Sequence, residues 1–310
     1  YFDPGIRITS TSYSNGCNAG YTSLARTMDL QVKLYPGLMH VFSAGNSGTQ
    51  NCGYGAGPGW GNVTGGHKIG KNVIATANLD YRDNLSNSSS RGPAHDGRIK
   101  PDIAAKGSSV YSTTDPNDYT TKSGTSMACP GISGSIAQLY HAYKELNNDE
   151  EAEGGLIKGI ILNTAEDLGN PGPDFLFGWG RINNLRAVMT LEEYRYLTDS
   201  IDQGFVNTHE LVVPANAKEM RVMVYWTDHP ANVGTNKALV NNIDIQITDP
   251  GNNVILPWVL NPYPHPDSLN KPAQRGIDDL NNMEQITIED PAPGLYELTV
   301  SGTEIPVGPQ

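Results

Sequence analysis

The chain has 310 residues, more than one ordinary domain needs, and a formal net charge of −12. That acidity argues against a nucleic-acid or anionic-membrane surface, and no apolar run approaches the ~20 residues that span a bilayer. Little lysine, with abundant glycine, asparagine, serine and tyrosine, suits an extracellular, loop-rich protein.

Arg7–Ser12 reads as a short buried strand. Ser23–Lys33 places Leu24, Met28 and Val32 at helical spacing, and Pro36-Gly37 closes it. Met39–Ala44 and Asn72–Ala77 follow as strands, and strand–helix–strand order implies a parallel sheet with helical crossovers. Thr125 to Leu146 predicts a long helix. Ile132, Ile136, Leu139, Tyr140 and Tyr143 share one face, and Gly131, Ser133, Gly134 and Ser135 make a slim face suited to close packing. Gly155–Ala165 predicts a helix apolar nearly all round, and therefore buried.

Character changes near Leu197–Phe205. Beyond it the period is two: Val222, Val224 and Trp226; Ile243, Ile245 and Ile247; Tyr296, Leu298 and Val300. Asp249-Pro250-Gly251-Asn252 and Pro291-Ala292-Pro293-Gly294 are turn signals between these runs. The expected fold class is therefore an α/β unit over 1–198 followed by an all-β sandwich or jelly roll over 203–310. Cys17 and Cys52 lie in Gly/Asn-rich loops and can form a disulfide, with Cys129, on a helix, left as a free thiol. Three free thiols in a cytosolic protein is the alternative.

Two segments carry chemistry. Gly124-Thr125-Ser126-Met127-Ala128 opens the long helix, so Ser126 sits among unsatisfied N–H groups at the positive end of the helix dipole. On position alone, a serine or threonine there serves equally well as a simple cap. Val41-Phe42-Ser43-Ala44-Gly45-Asn46-Ser47-Gly48 is a strand ending in a Gly-flanked asparagine, whose amide is a suitable oxyanion donor. Taken alone it is an ordinary Asn turn.

Together these segments resemble the nucleophile and oxyanion segments of the subtilisin-like serine peptidases. Ser89-Ser90-Arg91-Gly92-Pro93, Asp96 to Ala105, and Gly178-Trp179-Gly180-Arg181-Ile182-Asn183 support the match. Leu239-Val240-Asn241-Asn242-Ile243-Asp244 and Ile305 to Gln310 resemble the jelly-roll domain appended to some bacterial members. The resemblance implies a secreted, bacterial endopeptidase acting on polypeptide substrates, with Ser126 as nucleophile and the Asn46 amide and Ser126 N–H holding the tetrahedral oxygen. It places the primary specificity pocket between Ser12-Tyr13-Ser14 and Ala44-Gly45-Asn46, with Gly124 and Thr125 beside it. Ser14 stands where the family usually has glycine.

The family's Asp and His belong upstream of Arg7–Ser12, and no His-Gly-Thr-His stretch occurs in the chain. The seven histidines, His40, His67, His95, His141, His209, His229 and His265, sit in other contexts. The expected partner is thus an N-terminal fragment of the same protein supplying Asp and His. The alternative is an inactive subtilase fold used as a binding or scaffold module. The resemblance likewise implies one more strand after Pro306–Gln310. Calcium is the expected cofactor, with Asn242, Asp244, Asn282 and Glu284 as oxygen ligands. Trp258 and Tyr263 are candidate carbohydrate-binding aromatics. The sequons at Asn62, Asn84 and Asn87, and the Ser268–Lys271 dyad spacing, are taken as chance matches.

Overall fold

The computed structural model describes residues 5–13, 16–17 and 19–310. β1 (Ile8–Thr11), β2 (Met39–Ser43), β3 (Ile74–Leu79) and β4 (Ile103–Lys106) pair in that order as a parallel sheet. β2 and β3 are buried at every position, as strands covered on both faces must be. One cover is α2 (Thr125–Leu146), whose Ile132, Ile136 and Leu139 pack in one core with Val41, Ile74 and Ile103. The other is α1 (Ser23–Leu34), whose Ala25 shares a smaller cluster with Ala44 and Ala75. Alternation along β2 and β3 divides their side chains between these two helices.

α2 departs from expectation on its slim face. Gly131 and Gly134 are exposed, and a Cβ at either would meet nothing within 4 Å. Close packing there is not found, because no described segment of the chain covers that side of the helix. α3 (Gly154–Asn163) is buried as expected, yet it also buries Lys158, whose Nζ donates to the carbonyl oxygens of Lys71 (2.8 Å) and Val73 (2.9 Å). Burial of that ammonium is tolerable because those acceptors replace water. The hairpin β5 (Val110–Thr114) and β6 (Asp118–Lys122) and the helix α4 (Asn184–Glu192) carried no clear periodic signal. The hairpin stands mostly in solvent, so its strands rest on Thr and Tyr rather than on an apolar face.

The later half is antiparallel. It contains β7 (Val206–Val213), β8 (Glu219–Tyr225), β9 (Asn242–Thr248), β10 (Val254–Ile255), β11 (Trp258–Val259), β12 (Gln274–Arg275), β13 (Met283–Glu289) and β14 (Gly294–Glu304). A single-turn helix, α5 (Pro266–Leu269), precedes β12. One sheet runs β10-β9-β14-β7, β13 pairs with β8, and β11 with β12. Ile243, Ile245, Ile247, Tyr296, Leu298 and Val300 bury against Ile286, with Val222 and Val224 packed at the edge of the same cluster. Period two correctly placed these side chains inside. Trp226 is also buried, with Nε1 donating to the Asn241 carbonyl at 3.0 Å.

The two halves share more than a linker. Met283, Leu260 and Ala273 of the later half belong to the same core as the α2 face. Lys71, just before β3, sends its fully buried ammonium to the Asp228 carboxylate and to the carbonyls of His229 and Ala238. Asp228 in turn accepts from the backbone N–H of His229, Val240 and Asn241, each at 2.9 Å. Asn62, first residue of a sequon, is 1% exposed and therefore closed to glycosylation.

Candidate active site

The ends of β1 and β2 and the start of α2 meet at one place. Pro130 lies inside the first turns of α2 and has no N–H to give the carbonyl of Ser126, four residues earlier. That carbonyl accepts from the Ser12 hydroxyl instead (2.9 Å), and the Ser126 hydroxyl donates to the Ser12 carbonyl oxygen (3.1 Å). The reciprocal pair fixes the serine against the strand end. The simple cap reading fails: Gly124 is the N-cap residue and supplies no side chain, and Ser126 spends its hydroxyl elsewhere.

Asn46 performs the capping from a distant segment. Its Oδ1 accepts from the Thr125 N–H (3.0 Å) and from the Thr125 hydroxyl (3.1 Å). Using the oxygen this way orients the amide, whose Nδ2 lies beside Gly124 at the start of α2. Gly124 is needed here, since a Cβ would stand 3.3 Å from Asn46 Nδ2. Gly45 has φ +109°, its N–H donates to Thr125 Oγ1 (3.2 Å), and its carbonyl accepts from the Ser90 N–H (2.9 Å). Ser90 Oγ also accepts from the Ser47 N–H (3.0 Å), so the Asn46 loop is clamped on both sides. A rigid amide next to a helix-start serine is an arrangement able to stabilise a developing oxyanion.

The site is open. Asn46 and Ser12 are exposed and Tyr13 is 62% exposed, whereas Ala44, Gly45, Gly124 and Thr125 are buried. Ser14 lies outside the described residues. Among the described residues, the hydrogen-bond partner of Ser126 Oγ is the Ser12 carbonyl, not a base. His40 contacts Thr9 Oγ1 (2.6 Å) and Gln31 Oε1 (3.1 Å), and burial pushes its pKa down to about 4, so it is a structural imidazole. Cys17 and Cys52 form a disulfide, and Cys129 is a buried thiol on the inner face of α2 whose pKa burial raises. Sequence reasoning assigned no role to Ser90, Pro130, His67 or Lys68. Two of them had a readable signal: Ser90 lies in the Ser89–Pro93 stretch that supports the resemblance, and Pro130 is a proline inside a helical run.

The oxygen cluster in the later half is partly assembled. Asn242 Oδ1, Asp244 Oδ1 and Glu284 Oε1 are buried without hydrogen-bond partners among the described residues. Asn242 Nδ2 reaches Asp244 Oδ2 at 3.4 Å, and Glu284 Oε2 accepts from the Ile245 N–H at 2.8 Å. Burial, then the neighbouring Asp278 and Asp244 charges, push the Glu284 carboxyl up to about 9. Orphaned oxygens and crowded carboxylates fit a hard cation. Asn282 is drawn away, its Nδ2 donating to the Trp226 carbonyl (2.8 Å) and to Asn72 Oδ1 (3.2 Å). Among the described residues no three His, Cys, Asp or Glu side chains gather as a metal-binding group. The available set is thus two carboxylates and an amide.

The family model described as the subtilase family, peptidase S8, matches residues 2–180. The chain belongs to the subtilase family. Subtilisin DY of Bacillus licheniformis is 32% identical over 171 residues, 55% of this chain and 53% of that protein. Thermitase of Thermoactinomyces vulgaris is 30% identical over 186 residues, 60% of this chain and 55% of that protein. The serine protease/ABC transporter B family protein tagB of Dictyostelium discoideum is 26% identical over 303 residues. That match covers 74% of this subtilase chain and 16% of tagB. The chain therefore spans about a sixth of that relative and about half of the two bacterial ones. No helix among the described residues is long and apolar enough to cross a membrane.

Proposed function

We propose that this chain carries the nucleophile and oxyanion hole of a secreted bacterial serine endopeptidase that hydrolyses proteins or peptides. The observation that carries this reading is the seating of Asn46 on Thr125, which holds its side-chain amide at the start of α2, one residue from Ser126. Ser126 Oγ attacks the scissile carbonyl, its proton passing to a histidine that then protonates the departing amine. Asn46 Nδ2 and the Ser126 N–H hold the tetrahedral oxygen, and water later releases the acyl group. Histidine and aspartate come from residues N-terminal to this chain, on the same polypeptide or on a cleaved fragment. The half-exposed serine and the uncovered Gly131 and Gly134 of α2 support such a partner. Replacing Asn46 with alanine is expected to cut turnover of the complete protease about a hundred- to a thousandfold, the scale known for this donor in subtilisin itself. Unchanged turnover would remove the oxyanion role.

The Ser126–Ser12 bond, with no base on Ser126 Oγ among the described residues, favours one other reading, an inactive fold serving as a binding module. Labelling with a serine-directed phosphonate separates the two. A carbohydrate role is disfavoured, because the Trp258 ring lies under the Arg275 guanidinium, 3.5 Å from its carbon.

The later half is read as a jelly-roll domain with calcium as a structural ion. Asn242, Asp244 and Glu284 would hold it, and the ion would neutralise their charge. Chelation is expected to lower the melting temperature and added calcium to raise it again, the stabilisation amounting to about 2.7 kcal/mol at a hundredfold excess over Kd. Asp244→Asn should abolish the calcium-dependent shift. A melting curve indifferent to chelator and calcium would exclude the ion.

A further inference from the structure

Near its end, β3 carries a buried asparagine with a donor to spare. Ile74 packs under α2, and alternation along the strand turns Thr76 and Asn78 to the same side. Asn78 is completely buried, and its Nδ2 has no hydrogen-bond partner among the described residues. An unmade bond there costs stability, so packing alone does not account for an asparagine at this position. The other end of the amide is in use. Asn78 Oδ1 accepts from the Ser108 hydroxyl (3.1 Å), just before β5. The adjacent Gly107 donates its N–H to the Leu79 carbonyl (3.0 Å) and accepts from the N–H of Gly124, the cap of α2 (2.9 Å). A Cβ on Gly107 would stand 2.7 Å from Asn78 Oδ1, 2.5 Å from the Gly124 oxygen and 2.8 Å from the Ala128 nitrogen. The Asn78 amide, the root of the β5–β6 hairpin and the first turn of α2 thus meet around Gly107. The main chain of Asn78 reaches the other half of the site. Its N–H donates to Ser89 Oγ (3.1 Å), and its carbonyl accepts from the Ser86 N–H (2.9 Å). On that same loop the Ser88 carbonyl accepts from the Gly48 N–H (2.9 Å), and Ser90 holds Gly45 and Ser47.

We propose that Asn78 is a positioning residue of the peptidase site, locking the start of α2 to the Asn46 loop so that Ser126 and its oxyanion donor keep one spacing. The inference rests on the peptidase reading and adds to it a residue buried away from the substrate. Asn78 acts through others: by way of Ser108 and Gly107 on the Gly124–Ser126 segment, and by way of Ser89 on the loop that clamps Asn46. A shift of about 1 Å between reacting groups can cost about a hundredfold in rate. Substrate binding should not feel that shift, because the pocket walls at Ser12-Tyr13 and Ala44-Gly45 hang on other bonds.

The test is steady-state kinetics of the complete protease, with its upstream segment, on one peptide. Wild type is compared with Asn78→Ala, Ser108→Ala and the double variant. Asn78→Ala should lower kcat about ten- to a hundredfold with KM unchanged. Ser108→Ala should cause the same loss and the double variant no more, because both remove one bond. Thr76→Val is the control. It removes a buried hydroxyl without a partner from the same face of β3, and kcat should stay where it is. Ser108 is only half-buried, so its variant decides the matter if Asn78→Ala does not fold. A wild-type enzyme that labels on Ser126 and cleaves, with variants that keep its kcat or lose only in KM, overturns the inference and leaves the peptidase reading intact. An equal loss in Thr76→Val also overturns it, since packing of β3 would then explain the effect. A wild-type enzyme that neither labels nor cleaves overturns both.

Discussion

Ser126→Ala is expected to lower kcat of the complete protease about a millionfold, the scale recorded for loss of the nucleophile in subtilisin. Substrate binding should change little, because the pocket walls and the Asn46 amide are built from other segments. The residual rate should exceed the uncatalysed one, since the oxyanion donors remain. The comparison is steady-state kinetics of wild type and variant on one peptide, with circular dichroism confirming the fold. A variant retaining a tenth of the activity would mean that another residue attacks. Ser126 is secured by hydrogen bonds to Ser12 rather than by burial, so alanine removes chemistry with little loss of packing.

Breaking the Lys71–Asp228 pair is expected to cost about 3–5 kcal/mol. Both side chains are completely buried, and the ammonium also serves the carbonyls of His229 and Ala238. Lys71→Met would leave the Asp228 carboxylate buried without its counter-charge and strand two acceptors at the seam between the halves. Urea denaturation should show a lower midpoint with an unchanged slope, the sign of lost stability rather than an altered unfolded state. A second, shallower transition would show instead that the halves had uncoupled. The exposed pair Lys144–Glu151 is the control, and Lys144→Ala should leave the midpoint where it is.

These two sites differ in how readable they were. The strand–helix order, the α2 boundaries and the inward residues of β9 and β14 follow from apolar periodicity, which senses which side of an element is dry. Ser126 and Asn46 were visible as short motifs, because backbone approach to a substrate restricts the neighbouring residues to glycine and small side chains. The buried ions were not. Lys68, Lys71 and Lys158 sit in sequence contexts that read as surface or as apolar helix, and their burial depends on carbonyls and carboxylates far along the chain. Asp228 lies 157 positions from Lys71, and no local pattern links them. The slim face of α2 shows the converse. Its small residues were legible, but no described segment packs on them, because a run of small residues permits close packing without supplying a neighbour. Asn282 was expected among oxygen ligands for a cation, and no local pattern foretold that its Nδ2 donates to Asn72 and the Trp226 carbonyl.

The central claim is that Ser126 is a nucleophile held in an oxyanion site and activated by a base from outside these residues. A fluorophosphonate probe tests it directly, with tryptic mass spectrometry locating the adduct. The account predicts one adduct, on Ser126, in the complete protein, and little or none in the 310-residue chain by itself. No adduct on Ser126 in folded, complete protein would contradict it and leave the binding-module reading standing.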